Sequence, residues 1–273
     1  MKPEIILCVP GPWGDRTKLL EEIIVRTEGK FMFAGGILAC PSAKDHVPLE
    51  YEPHTPEMED AFRYAGQGKI SDETLQAVSQ HKGVAYLHFP LEFIAQRDRM
   101  KMFTTLLRDC GGIGIKNESS GVAHEWDRWF ELIKSEDLFD SYCACIVLVA
   151  DDDVYYSCGM HHFGLPEVQI SRNYDIQEAA KFINDFNLYQ LIEEPNINAG
   201  HTFSLTSDGP KFRIGHVADN RHNQEDLFYN SAGVWSLETV EQDAAVMPRR
   251  TRRFDYMRRR GGGFELVRRL AYL

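Results

Sequence analysis

Apolar residues recur along the chain in two periods, and the switches between them mark out the elements. Ile5 to Val9 is a short apolar run closed by Pro10-Gly11-Pro12, which predicts a strand and a turn. Leu19, Leu20, Ile23 and Ile24 then fall at helical spacing behind Asp15, a side chain suited to cap the helix, and Gly29 ends it. Phe31 to Cys40 reads as one buried strand, with Gly35-Gly36 as a bulge or a close backbone approach. Val47, Leu49 and Tyr51 alternate with polar residues, the pattern of a half-buried strand. Thr55-Pro56-Glu57 predicts a helix capped by Thr55, with Pro56 at its first position. Ser71 opens another helix, Val84 to Phe89 predicts a strand, and Leu91 to Cys110 a long helix stopped by Gly111-Gly112.

Ile113 to Lys116 predicts a strand, and Gly121 to His124 leads into a helix carrying Trp126, Trp129, Phe130 and Ile133. From there the pattern changes. Cys143 to Val149 and Val154 to Met160 read as two strands joined by the acidic turn Asp151-Asp152-Asp153, a hairpin. Val168 and Ile170 mark a short strand, and Ile176 to Ile192 an amphipathic helix through Ala179, Phe182, Ile183 and Phe186. Phe203 to Leu205 and Phe212 to Ile214 flank Ser207-Asp208-Gly209-Pro210, a second hairpin. Alternating strands and helices followed by hairpins predict an α+β fold: a mixed or antiparallel sheet with packed helices, compatible with two ferredoxin-like halves. The expected divisions are an N-terminal α/β half at 1–138, a hairpin-rich half at 139–240 and an Arg-rich tail at 241–273.

Charge sharpens this picture. The net charge is −11, but residues 249–273 hold nine Arg against Asp255 and Glu265, a local +7, which leaves −18 on the first 248 residues. So acidic a body repels nucleic acid and membrane phosphates, and its charge either serves solubility alone or suits a basic protein partner. Only the Arg-rich tail offers a basic surface for nucleic acid or acidic lipid, and with Leu266, Val267 and Leu270 as a short apolar stripe it reads more naturally as docking back on the acidic body or as disordered. No apolar run approaches the length of a membrane span, and no secretory leader is visible. Cys8, Cys40, Cys143, Cys145 and Cys158 sit in apolar runs, as buried thiols do, which points to a reducing, cytoplasmic setting.

Several blocks together carry a resemblance: Leu7 through Trp13, Phe33 through Leu38, Glu118 through His124, Gly159 through Ile170, and Asn230 through Trp235. With them the chain resembles, over most of 5–238, a bacterial protein family catalogued as a domain of unknown function. The run Gly159-Met160-His161-His162-Phe163-Gly164-Leu165-Pro166 is the most specific part. The stretch before Gly233-Val234-Trp235 departs from it, being Asn230-Ser231-Ala232 where that family often has Asn-Pro-Tyr. The resemblance implies a domain extent and no catalytic residue. Its occurrence in bacteria that deploy contact-dependent toxins implies an immunity-type role.

Candidate chemistry centres on His161 and His162. In an extended segment adjacent rings point to opposite faces, so only one serves a given site. Either ring, with His124, His201 or His216 and a carboxylate such as Glu118 or Glu167, is a candidate zinc set, although no spacing of the zincin or C-x-x-C kind is present. Glu118-Ser119-Ser120-Gly121 follows a strand, but the nucleophile elbow needs Gly where Glu118 stands, so Ser120 reads more naturally as a turn former. Gly111-Gly112-Ile113-Gly114 precedes a strand rather than a helix and makes no phosphate cradle. Asp151, Asp152 and Asp153 lack the calcium-loop series and read as a solvated hairpin tip. Trp13, in its Pro-Gly-Pro turn, is either packed or a recognition anchor.

The expectation is a non-catalytic cytoplasmic binding module with neither metal nor cofactor, engaging a basic protein. Its binding candidates are Trp13, Glu118, His162, Asp151, Asp152 and Asp153. The alternative is a small hydrolase using His161 or His162, with Glu118, Ser120 and His124 as further catalytic candidates.

Overall fold

Along β1 (Glu4–Gly11) the side chains alternate between two cores: Ile5, Leu7 and Val9 enter one, Cys8 the other. This is the period of a central strand covered on both faces. The computed structural model describes residues 3–240, and the predicted Arg-rich tail lies outside the described residues. After β1 come α1 (Arg16–Thr27), β2 (Met32–Ala34), β3 (Ile37–Cys40) and β4 (Asp45–Pro53). There follow α2 (Met58–Ala65), α3 (Asp72–Ser79), β5 (Gly83–Pro90), α4 (Phe93–Asp109), β6 (Ile115–Asn117), β7 (Val122–His124) and α5 (Trp126–Lys134). The strands form one antiparallel sheet in the order β2-β3-β4-β5-β1-β6-β7. Its centre, β4-β5-β1-β6 with α1 and α4 as connections, has the strand order of a ferredoxin-like unit. Leu49 and Leu7 both lie opposite Leu87, and α1 and α4 cover this face through Leu19, Ile23, Met100 and Phe103. The α2–α3 insertion covers the other face through Met58, Phe62, Leu75 and Val78.

The second sheet is built from β8 (Val147–Ala150), β9 (Val154–Cys158), β10 (Glu167–Ser171), β11 (Thr202–Phe203), β12 (Phe212–Val217) and β13 (Val234–Thr239). Its order is β11-β12-β13-β10-β9-β8, and the β10–β13 pair is parallel. The fold is therefore α+β with one antiparallel and one mixed sheet. The second half is not ferredoxin-like, because that order keeps every neighbouring pair antiparallel. α6 (Leu138–Cys145) precedes β8, and α7 (Ile176–Glu193) packs on the sheet through Ala179, Ile183 and Phe186. α6 and the C-terminal part of α7, with Leu188 and Leu191, also enter the first core, so the two sheets share buried material.

Three local readings change. Phe31 to Cys40 is a hairpin, not one strand: Gly35 (φ 58°) and Gly36 (φ 79°) take the left-handed backbone of a tight turn between β2 and β3. Cys143 to Cys145 is helical, because Asp137 caps α6 by accepting the Phe139 N–H at 2.9 Å. The helix after Thr55 starts only at Met58, and Thr55 offers its carbonyl rather than its side chain to the Met58 N–H. Among the described residues, no helix is long and apolar enough to cross a membrane.

Candidate functional site

The segment between β9 and β10 carries His161 and His162. It is not extended. Gly159 (φ 120°) turns the chain out of β9 into a 3₁₀ turn, Met160–Phe163, which Gly164 (φ 70°) ends. A Cβ at Gly159 would lie 2.4 Å from the Cys145 carbonyl oxygen, so only glycine fits where this turn packs against the end of α6. The turn brings the two rings together, with centroids 4.3 Å apart, instead of sending them to opposite faces.

Glu167, the first residue of β10, organises the surroundings. One carboxylate oxygen accepts the Ser157 hydroxyl at 2.8 Å. The other accepts the Gly159 N–H at 3.0 Å, the His161 N–H and Nδ1–H at 3.3 Å, and the Asn230 amide at 3.2 Å. Ser157 in turn accepts the Val168 N–H, and Asn230 also donates to the Leu165 carbonyl, both at 2.9 Å. A buried carboxylate needs such a set of donors to offset its lost hydration. Glu167 therefore ties together β9, the turn, β10 and the segment before β13. Asp219 supports that segment, accepting the Asn230 N–H at 3.0 Å.

The carboxylate–imidazole pair has the form of the orienting half of a catalytic triad. The other half is missing: His161 is 4% exposed, and no hydrogen-bonding group among the described residues reaches its Nε2. His162 is fully buried, with no hydrogen-bond partner at either ring nitrogen. Burial holds its pKa well below the ordinary histidine value, with the neighbouring His161 acting in the same direction.

The other candidates are dispersed. His124 donates Nε2–H to the Ala144 carbonyl at 3.2 Å, and burial lowers its pKa to about 4. His201 accepts the Asn198 N–H at 3.3 Å, and His216 donates to the Ala232 carbonyl at 2.9 Å. Among the described residues, no group of three or more His, Cys, Asp or Glu is placed to hold a metal ion. Glu118 pairs with Lys116. Ser119, rather than Ser120, is the bonded serine of its loop: its hydroxyl donates to the Glu4 carbonyl at 2.7 Å and accepts the Ile6 N–H at 3.0 Å, extending the β1 edge. Ser120 is buried and its hydroxyl meets no partner. Trp13 is packed, 1% exposed, with its indole N–H on the Cys110 carbonyl at 2.9 Å, so its ring is not presented for recognition. Asp151, Asp152 and Asp153 are exposed at the β8–β9 turn, where Asp151 caps the Asp152 N–H at 2.8 Å.

One feature escaped the sequence. Beside the histidine turn lies a groove of about 850 Å³, between the start of α4, the turn itself, the end of α7 and β13. Phe93, Phe163, Leu165, Leu191, Ile197 and Trp235 give it apolar walls, His162 contributes to the wall, and Glu92 and Glu194 add carboxylates. A buried polar relay backs it. Tyr142 donates to Asn184 at 2.6 Å and accepts from Asn187 at 3.2 Å, Gln190 donates to Asn187 at 3.4 Å, and Trp235 donates to Gln190 at 2.8 Å. These residues come from α4, α6, α7 and β13, far apart in the chain, and no local motif announces them.

Residues 156–238 match a protein family described as a domain of unknown function (DUF4261). The match runs from β9 into β13 and contains the histidine turn, Glu167 and Asn230. The blocks at Leu7–Trp13, Phe33–Leu38 and Glu118–His124 lie outside it. No curated protein and no solved structure matches the chain.

Proposed function

We propose that this chain is a non-catalytic protein-binding module whose acidic body engages a basic partner, with an immunity-type role, neutralising a basic toxin, as its specific form. The observation that carries the reading is the placement of His161, His162 and Glu167. Their polar atoms are withdrawn into the interior, where Glu167 accepts from four residues, Ser157, Gly159, His161 and Asn230. A general base must come within hydrogen-bond reach of a substrate proton. The surface concavity beside them is apolar with acidic members, as a recognition groove is. The charge of −18 on the first 248 residues supports a basic partner.

The hydrolase reading makes the opposite forecast for the same residues. The test compares Glu167→Ala and the double variant His161→Ala/His162→Ala with the parent chain, in thermal melts and against a panel of aryl esters and aryl phosphates. The expected outcome is no turnover by any of the three and a loss of about 3 kcal/mol of stability for Glu167→Ala, whose donors lose a buried acceptor. Turnover by the parent chain that disappears in the variants, at unchanged stability, would overturn the proposal.

A further inference from the structure

The groove between α4, α7 and β13 has features that identify its occupant. Its walls are aromatic and aliphatic, and Ile94 on its α4 side is 40% exposed, a large apolar side chain left to solvent. Glu92 and Glu194 are both exposed, and neither forms an ion pair with a described residue. No Lys or Arg lines the groove. A cavity of this size, placed where the two sheets' helices meet and lined by apolar side chains with a few polar ones, is of the kind that takes a ligand.

We infer that this groove docks a basic segment of the protein partner: one aromatic side chain flanked by Lys or Arg. The inference rests on the binding-module reading and names its site. The aromatic body packs between Phe93, Phe163, Leu165 and Trp235. The flanking cations pair with Glu92 and Glu194. Buried aromatic anchors within a charged rim are where binding energy concentrates at protein interfaces.

The test uses the full chain and fluorescein-labelled twelve-residue peptides carrying a central Tyr, Trp, Phe or Leu between pairs of Lys, with matched peptides carrying Glu in place of Lys. Binding is read by fluorescence anisotropy at low salt. The expected result is saturable binding of the Lys-flanked Tyr, Trp and Phe peptides, tighter than the Leu peptide, and none of the Glu-flanked set. Glu92→Gln/Glu194→Gln should weaken binding about threefold to tenfold, the scale of two exposed ion pairs. Ile94→Lys, a surface change that leaves the core intact, should abolish it. Failure of every Lys-flanked peptide to bind, equal binding of the Glu-flanked peptides, or insensitivity to both variants would overturn the groove assignment. Equal affinity of the aromatic and Leu peptides would overturn the aromatic anchor. A purified basic partner that binds the parent chain and both variants equally would remove the groove and leave the binding-module reading standing. A chain that binds no basic protein at all would remove both.

Discussion

At the scale of single residues, His162 stores a pH dependence. The fold holds it neutral, because burial penalises the charged ring, while the unfolded chain protonates it near the ordinary value of 6.5. Unfolding therefore takes up a proton at acid pH. The stabilisation is full above about pH 6.5 and is lost as pH falls toward the depressed folded value. His124 acts in the same sense, over the window from 6.5 down to about 4. Each group contributes a slope of about 1.4 kcal/mol per pH unit inside its window. Denaturant unfolding between pH 7.5 and 5 should show stability falling with acid, and His162→Leu should remove about a third to a half of that slope, since burial lowers His81 in the same sense. An unchanged slope in the variant would show that the ring is not held neutral. Little of this was legible in the sequence. The motif marked the two histidines, but an extended reading separated rings that the 3₁₀ turn brings to 4.3 Å. Glu167, six positions on, reaches His161 only because that turn folds back, and Asn230 joins from 63 residues away.

At the scale of elements, what the sequence disclosed depended on how many neighbours each segment needs. The apolar run of β1, the Asp15 cap of α1, and the stripe of α7 are local patterns, and each appears where predicted. The apolar run Tyr142-Cys143-Ala144-Cys145-Ile146 suits a buried strand and a buried helix equally well, and the cap at Asp137 decides it as α6. β13 went unread because Val234 to Thr239 lacks strict alternation, and it is defined by its partners, parallel β10 and antiparallel β12. The junction of α6 with the histidine turn is the most demanding contact among these elements. Gly159→Ala would place a methyl group against the Cys145 carbonyl and hold a non-glycine residue at φ 120°. The expected cost is about 3 kcal/mol or more, read as a lowered denaturant midpoint. Gly164, with φ 70° but open space around its Cα, should cost less on the same change. Equal costs at the two positions would show that the α6 contact does not constrain the turn.

At the scale of the molecule, two sheets that share buried residues from α6 and α7 frame a groove, and the sequence of the first 248 residues carries −18. On the proposed reading a field of that sign acts before contact, steering a basic partner toward the chain. The most direct test is the association rate of the purified chain with a basic protein captured on it from the native organism at low ionic strength, measured across a salt series. The account predicts an on-rate at least ~10-fold higher at low salt, falling as the Debye length shortens from ~30 Å at 0.01 M toward ~8 Å at 0.15 M. His161→Ala/His162→Ala, provided it stays folded, should retain that salt dependence. An on-rate indifferent to salt would contradict the account.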